Sequence, residues 1–146
     1  KVEPCAISHD AAEPVAYRFG LGEKSTAVAT DMGVYNDYIV EHLKGLDTVL
    51  LEANHDIQML KNGSYPYMLK QRILGLNGHL ANITAGSLLA EIMSETVQNV
   101  FLGHLSSENN TEKLEYDTVK KVLESRNIFV GKDLVMEMAQ RNTVSR

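Results

Sequence analysis

Apolar and polar positions along the chain follow two different periods, and each period predicts a different element. Strand-like runs cover 2–7, 15–20 and 25–30, with short links between them. Three such strands with short links predict an antiparallel stretch at the start of the chain. Over 34–44 the apolar residues instead recur at helical spacing. The pattern therefore changes from strands alone to strands that alternate with helices.

The rest of the chain repeats this order of strand and helix. Continuous apolar runs at 48–51 and 100–102 are typical of strands covered on both faces. Capping residues and apolar spacing predict helices just after 56, over 66–74, from 82 or 84 to 93 and over 111–125, with a last strand at 134–138. We expect one α/β unit with a mixed sheet over 1–139 and a flexible tail over 140–146.

Composition limits the possibilities for this chain. Its 146 residues, 44% hydrophobic, suffice for one core. The net charge of -5 is not the excess of basic charge that is typical of proteins that bind nucleic acid, although a local basic groove or a bound cation could still recruit phosphate. No apolar run approaches the roughly 18 residues that span a bilayer. The chain has a single cysteine, Cys5, which excludes an internal disulfide and favours a reducing cytoplasm. The start at Lys1 has neither an initiator Met nor a signal-peptide core, which predicts a chain that begins mid-protein.

Three isolated polar residues, His9, Asp31 and His104, follow predicted strands. Imidazole and carboxylate groups suit divalent metals, and three such ligands can hold one ion with an open position. Each residue also has an ordinary interpretation. Either histidine can be a hydrogen-bonded surface or core residue, and Asp31 can cap the helix predicted near 34.

Four of the five histidines lie in connections rich in Asn, Asp and Gly; they are His9, His55, His79 and His104. Ligand sites of α/β proteins form at the edge where strands end, so we expect these residues to converge there. His42 is the exception, because it lies inside the predicted helix 34–44. We assign His42 to a solvated helix face.

An ordered series of segments resembles the metallo-β-lactamase-fold hydrolases, and among them the YycJ-like subgroup. The segments are 8–14 (SHDAAEP), 30–33 (TDMG), 52–56 (EANHD), 65–74, 78–82 (GHLAN) and 103–106 (GHLS). The resemblance runs from about 2 to about 130. The family signature His-x-His-x-Asp-His is absent, so the chain resembles only the second half of the family's αββα sandwich, a mixed sheet with helices on one face. Either the first half is missing or is a separate chain, or the protein is a degenerate relative.

The resemblance implies roles for individual residues. His9 matches a ligand of one metal, Asp31 matches the carboxylate that bridges two metals, and His104 matches a ligand of the second metal. His79 resembles the histidine that ribonuclease Z-type enzymes place beside the scissile phosphate. His55 is implied to line the active site, or to orient a ligand from behind it.

The resemblance also implies a cofactor and a reaction. Two divalent ions, Zn²⁺ or Mn²⁺ and possibly Fe²⁺, would generate a bridging hydroxide that attacks the scissile centre. The implied activity is that of a phosphodiesterase or exonuclease-like nuclease, with small phosphoesters and thioesters also open. The alternative is a non-catalytic interaction or regulatory module that keeps the fold. This piece alone is expected to be inactive and to associate, with the missing half or with copies of itself.

Overall fold

The structure is a computed structural model that describes residues 1–93 and 99–145. The strands of this part are β1 Val2–Ala6, β2 Val15–Leu21, β3 Lys24–Ala29, β4 Thr48–Glu52, β5 Asn99–Gly103 and β6 Val135–Met138. The helices are α1 Asp37–Leu43, α2 Ile57–Asn62, α3 Tyr67–Leu74, α4 Asn82–Ile92 and α5 Glu112–Ser125. Every predicted element is therefore present. Arg146, the end of the predicted tail, lies outside the described residues.

Helix α1 differs from its prediction at two points. It begins at Asp37 rather than near 34, because the Asn36 side chain accepts a hydrogen bond from the Ile39 amide and caps the helix. Asp31 is therefore not the cap. The prediction of a solvated face holds for His42 only in part: the residue is half-buried, and its Nε2 is buried with no hydrogen-bond partner among the described residues.

The six strands form one sheet in the order β1-β2-β3-β4-β5-β6. The first three strands pair antiparallel, and β3 to β6 pair parallel, which confirms the mixed sheet. Each parallel crossover moves one strand further in the same direction. Because such crossovers are right-handed, their helices fall on one face of the sheet. The core lies between that face and helices α1, α4 and α5.

The opposite face of the sheet carries a row of apolar side chains. Tyr17 pairs with Val28, Val28 with Leu50, and Leu50 with Phe101, so the row runs across four strands. Tyr17 is 42% exposed and Val28 is 40% exposed. A registered apolar row of this kind marks a face that another structure can cover.

The direction of the strands determines where the polar strand-end residues meet. Strand β2 is antiparallel to both β1 and β3, so β1 runs in the same direction as β3, β4 and β5. The carboxyl ends of these four strands lie at one edge of the sheet. The residues at or just after these ends are His9, Asp31, Glu52 and His104.

None of the helices in the described residues is long and apolar enough to cross a membrane.

Helix α5 buries an acidic residue. Glu115 lies in its first turn with no exposed surface, and neither carboxyl oxygen has a hydrogen-bond partner among the described residues. Burial, with a smaller contribution from the nearby Glu112 charge, raises the pKa of Glu115 from 4.5 to about 8. The carboxyl group is therefore neutral in the folded protein at pH 7.

We predict that Glu115→Gln removes a pH dependence of stability. Between pH 4.5 and about 8 the unfolded chain loses the Glu115 proton and the folded chain keeps it. The unfolding free energy therefore falls as pH rises through this window, with a slope of up to about 1.4 kcal/mol per pH unit. Glutamine cannot ionise, so the variant gains stability relative to the wild type from pH 5 to pH 8. Denaturant unfolding of the full-length gene product at a series of pH values measures this.

The matched control is Glu124→Gln, because Glu124 lies on the same helix and is exposed. This variant should keep the wild-type slope. Equal slopes for Glu115→Gln and the wild type would contradict the prediction.

Candidate metal centre

One carboxylate oxygen is the point on which three histidines converge. Asp31 Oδ1 lies 3.6 Å from His9 Nε2, 3.7 Å from His104 Nε2 and 3.8 Å from His79 Nδ1. The His79 ring lies between the other two, with its centroid 5.1 Å from each of theirs. The structure thus brings together four of the five site residues predicted from the sequence.

The spacing of these atoms fits a divalent metal. Two ligand atoms that each lie about 2.1 Å from a tetrahedral ion are about 3.4 Å apart. The separations of 3.6 and 3.7 Å from Asp31 Oδ1 to His9 and His104 are close to that value. Ligand atoms of Asp31, Glu52, His79 and His104 also all lie within 4.8 Å of one another. The nitrogen and oxygen donors of this cluster suit Zn²⁺, Mn²⁺ and Fe²⁺.

Behind the cluster lies Glu52, the last residue of β4, which has no exposed surface. Its Oε2 lies 2.6 Å from His104 Nδ1 and 2.8 Å from His79 Nδ1. Its Oε1 accepts hydrogen bonds from the backbone amides of Leu80 (3.0 Å) and Met32 (3.1 Å). One buried carboxylate therefore holds two of the three histidines.

These contacts determine the charge of Glu52. Burial by itself raises its pKa, but hydrogen bonds from His104, His79 and the two backbone amides outweigh burial and bring the pKa to about 2. The hydrogen bond to Glu52 likewise raises the pKa of His104. Glu52 is therefore ionised across the physiological range.

The hydrogen bonds also select the tautomers of two histidines. A His104 Nδ1–H that donates to Glu52 leaves Nε2, the nitrogen that faces Asp31, with a free lone pair. In His9, Nδ1 lies 3.0 Å from the Gly78 carbonyl oxygen, so Nδ1–H donates there and Nε2 again faces Asp31. When these rings are neutral, each therefore directs an Nε2 lone pair toward the same oxygen, which is the form in which imidazole binds a metal.

The backbone is strained at two of these residues. Asp31 has φ 59° and His104 has φ 57°, which is the left-handed region that residues other than glycine rarely adopt. The Asp31 amide donates to Glu52 Oε2 at 3.3 Å, and the Asn54 side chain donates to the His104 carbonyl at 2.8 Å. Strain held in place by such contacts is a mark of functional sites.

Three loops pack against one another to hold His9, Asp31 and His79. The Ser8 hydroxyl donates to the Leu76 carbonyl at 2.8 Å, and the Gly33 amide donates to the Ser8 carbonyl at 2.8 Å. A Cβ placed on Gly78 would lie 2.0 Å from the Ile73 carbonyl oxygen. This contact is too close for any side chain, so position 78 requires glycine.

His55 is not one of the histidines that converge on Asp31, although the Glu52 and His79 charges are near enough to affect its pKa. His55 is 1% exposed, and neither ring nitrogen has a hydrogen-bond partner among the described residues. Burial lowers its pKa to about 4, so the ring is neutral. It lines a separate cavity of about 200 Å³ with Asn82 and Thr118. A catalytic role for His55 stays a prediction.

An open cleft of about 450 Å³ lies over the cluster. Its lining includes His9, Asp31, His79 and His104 together with polar and basic side chains, among them Arg72 and Arg141. A cleft with convergent imidazoles, a carboxylate and guanidinium groups suits an anionic substrate.

No family model matches the chain. It is 37% identical over 131 residues to exodeoxyribonuclease YycJ of Bacillus anthracis, covering 90% of this chain and 50% of that protein. It is 38% identical over 132 residues to exodeoxyribonuclease WalJ of Streptococcus pneumoniae serotype 2 (strain D39 / NCTC 7466), covering 90% of this chain and 49% of that protein.

Solved structures show the same fold. The metallo-β-lactamase fold protein YhfI from Bacillus subtilis matches 95% of this chain and 46% of its own, with a TM-score of 0.64 and 16% identity. A diphosphatase of the PhnP family matches 95% and 40%, with a TM-score of 0.56 and 19% identity. Zn²⁺-bound PqqB from Methylobacterium extorquens matches 93% and 48%, with a TM-score of 0.57 and 14% identity.

The sheet, its one-sided helices and these neighbours define a chain of the metallo-β-lactamase fold. Within that fold it is a YycJ-like chain, and it spans about half the length of the curated relatives it matches. The resemblance seen in the sequence motifs is therefore confirmed.

Sequence reasoning missed Glu52. Glu52 enters the prediction only as the first residue of the segment 52–56 (EANHD). A usable signal existed, because Glu52 ends a continuous apolar strand that is paired on both sides, where a charge needs nearby partners.

We predict that Glu52→Gln weakens both the fold and the metal centre. An amide nitrogen would face N–H donors, and the histidines would lose the acceptor that orients them. We expect a loss of about 3 kcal/mol in unfolding free energy and about 10- to 100-fold weaker binding of Zn²⁺. Denaturant unfolding and chelator competition on the full-length gene product measure the two effects.

The control is Glu23→Gln, which removes the same charge from the exposed turn between β2 and β3. It should change neither quantity. A Glu52→Gln protein that binds Zn²⁺ as tightly as the wild type would refute the orienting role.

We predict that Gly78→Ala also weakens metal binding, because the added methyl group would displace the loop whose carbonyl accepts from His9. The expected loss of Zn²⁺ affinity is about tenfold or more, by analogy with the removal of a group that orients a ligand. Gly20→Ala is the control, since a Cβ there meets no atom within 4 Å. Equal affinities for the two variants would show that the loop contact is unimportant.

Proposed function

We propose that this chain forms one part of the active site of a metal-dependent phosphodiesterase that acts on nucleic acid. The observation that carries the proposal is the convergence of three histidines on Asp31 Oδ1, with the ionised Glu52 behind them. The names of the relatives, exodeoxyribonucleases YycJ and WalJ, support nucleic acid as the substrate class.

In this proposal His9, Asp31 and His104 hold the metal. Asp31 Oδ1 lies at similar distances from both imidazole nitrogens, so this carboxylate would be the ligand shared by two ions, with His9 and His104 as further ligands. Bound divalent ions would supply Lewis acidity, which lowers the pKa of water and neutralises phosphate charge. The cleft itself has the arginine side chains that a phosphate requires, although the chain has a net charge of -5.

His79 is the candidate for proton transfer. Its Nδ1 is engaged by Glu52 at 2.8 Å, which fixes the ring and leaves Nε2 as the atom that can serve the substrate. In this proposal a proton carried on Nε2 passes to the leaving oxygen. Glu52 thereby prepares both a metal ligand and a proton donor.

The remaining ligands belong, in this proposal, to the other half of the fold. The curated relatives are about twice as long as the part that matches this chain. The apolar row Tyr17–Val28–Leu50–Phe101 provides a face on which a second half can pack. We therefore propose that the complete site requires both halves.

We predict that Asp31→Ala in the full-length gene product lowers the hydrolysis of DNA at least about a hundredfold, because one carboxylate serves both ions. The assay follows the degradation of single- and double-stranded DNA with Mn²⁺ or Zn²⁺, and elemental analysis counts the bound metal. Asp117→Asn, a charge change on the exposed side of α5, is the control and should retain activity.

Unchanged hydrolysis by Asp31→Ala would refute the bridging role. An intact wild-type protein that binds no metal would support the non-catalytic module instead. Turnover of small phosphoesters or thioesters without turnover of DNA would reassign the substrate.

A further inference from the structure

An arginine stands on the His9 side of the metal centre. Arg72, in α3, places Nη2 2.9 Å from Asp10 Oδ2, and Asp10 directly follows His9. The Arg72 side chain is 63% exposed, so the ion pair leaves most of the guanidinium open to the cleft it lines. A guanidinium has five N–H donors in a planar fork, and this pairing occupies only some of them.

A second arginine stands on the His104 side. Arg141 donates from Nη2 to the Leu105 carbonyl at 3.0 Å, and Leu105 directly follows His104. This contact has the same form as the first, since each arginine is held by the residue after a metal-site histidine. The Arg141 charge is also near enough to His104 to oppose the rise in the pKa of that histidine.

The two arginines are anchored beside different histidines of the centre. The His79 ring stands between those of His9 and His104, 5.1 Å from each. Arg72 is held by Asp10, the residue after His9, and Arg141 is held by Leu105, the residue after His104. The lining of the cleft therefore includes two cations, one anchored next to each of these histidines.

The cleft continues past Arg141. A second cavity of about 610 Å³ shares His104, Leu105, Ser107 and Arg141 with the first. Its remaining lining includes the apolar side chains of Leu102, Met138 and Ala139, together with Glu112 and Gln140. A cavity with mostly apolar walls and a guanidinium shared with the first cavity suits a planar base attached to a phosphate.

We propose that Arg72 and Arg141 bind the phosphates on the two sides of the scissile phosphodiester, and that the cavity beyond Arg141 receives the adjoining base. The site would then select a polynucleotide strand over a small phosphodiester. This inference rests on the proposed function and specifies the substrate that the same cleft accepts. Electrostatic contacts of this kind position the strand without reading its sequence.

The test compares two substrates in the full-length gene product. Arg72→Gln and Arg141→Gln should each lower kcat/KM for a single-stranded oligodeoxynucleotide relative to kcat/KM for bis(p-nitrophenyl) phosphate, by about tenfold or more. Each variant should also reduce the slope of log K against log salt by about 0.7 in oligonucleotide binding, because one phosphate contact is lost. Binding is measured by fluorescence anisotropy in EDTA, so this readout does not require activity.

The matched control is Arg126→Gln at the C-cap of α5, which also removes one exposed arginine. The 14 residues of α5 separate Arg126 from the end of the helix nearest the centre, a distance of about 21 Å. This variant should keep the wild-type substrate ratio and salt slope.

The possible outcomes separate this inference from the proposed function. A salt slope for Arg72→Gln or Arg141→Gln equal to that of Arg126→Gln would overturn the inference, and so would a parallel loss of activity on both substrates. A wild-type protein that hydrolyses neither substrate would overturn the proposed function. In that case a reduced salt slope in the two variants would still support strand binding by the arginines.

Discussion

The candidate site depends on one buried anion, the carboxylate of Glu52. A charge without access to water is strongly unfavourable unless hydrogen bonds replace its hydration. Here the donors come from three separate loops: the Met32 and Asp31 amides after β3, the His79 ring and Leu80 amide before α4, and the His104 ring after β5. Each loop must therefore adopt the conformation that delivers its donor. The requirement to solvate Glu52 thus orders the side chains that surround Asp31.

This dependence explains how two residues of the centre tolerate strain. A non-glycine residue in the left-handed region costs on the order of 1 to 3 kcal/mol. Asp31 and His104 both adopt it, and both donate a hydrogen bond to Glu52, one from its amide and the other from its ring. Hydrogen bonds to a buried charge are worth about 1.5 to 3 kcal/mol each, which is enough to offset the strain. With both turns held in this conformation, His104 Nε2 lies 3.7 Å from Asp31 Oδ1.

The sequence predicted the elements and most of the site because both depend on local signals. Periods of 2 and 3.6 are distinct, and residues that follow parallel strands meet at one edge whatever the details of packing. Burial, by contrast, depends on residues distant in the chain. The partners of Glu52 lie 20 to 52 positions away, so nothing adjacent revealed that this glutamate is buried and ionised. The same reason applies to two histidines. The sequence predicted a solvated helix face for His42, but packing buries its Nε2. It predicted an active-site position for His55, but packing buries the whole ring.

The apolar face and the metal centre have a common geometric origin. The row Tyr17–Val28–Leu50–Phe101 crosses β2, β3, β4 and β5, and the centre lies at the carboxyl edge of three of those strands. A second sheet that packs on this row would therefore have one of its own edges beside Asp31. In the proposed function, the contact that removes the apolar row from water is the same contact that supplies further ligands. Burial of the face and completion of the centre then occur in a single step, which links the stability of the domain to the assembly of its site.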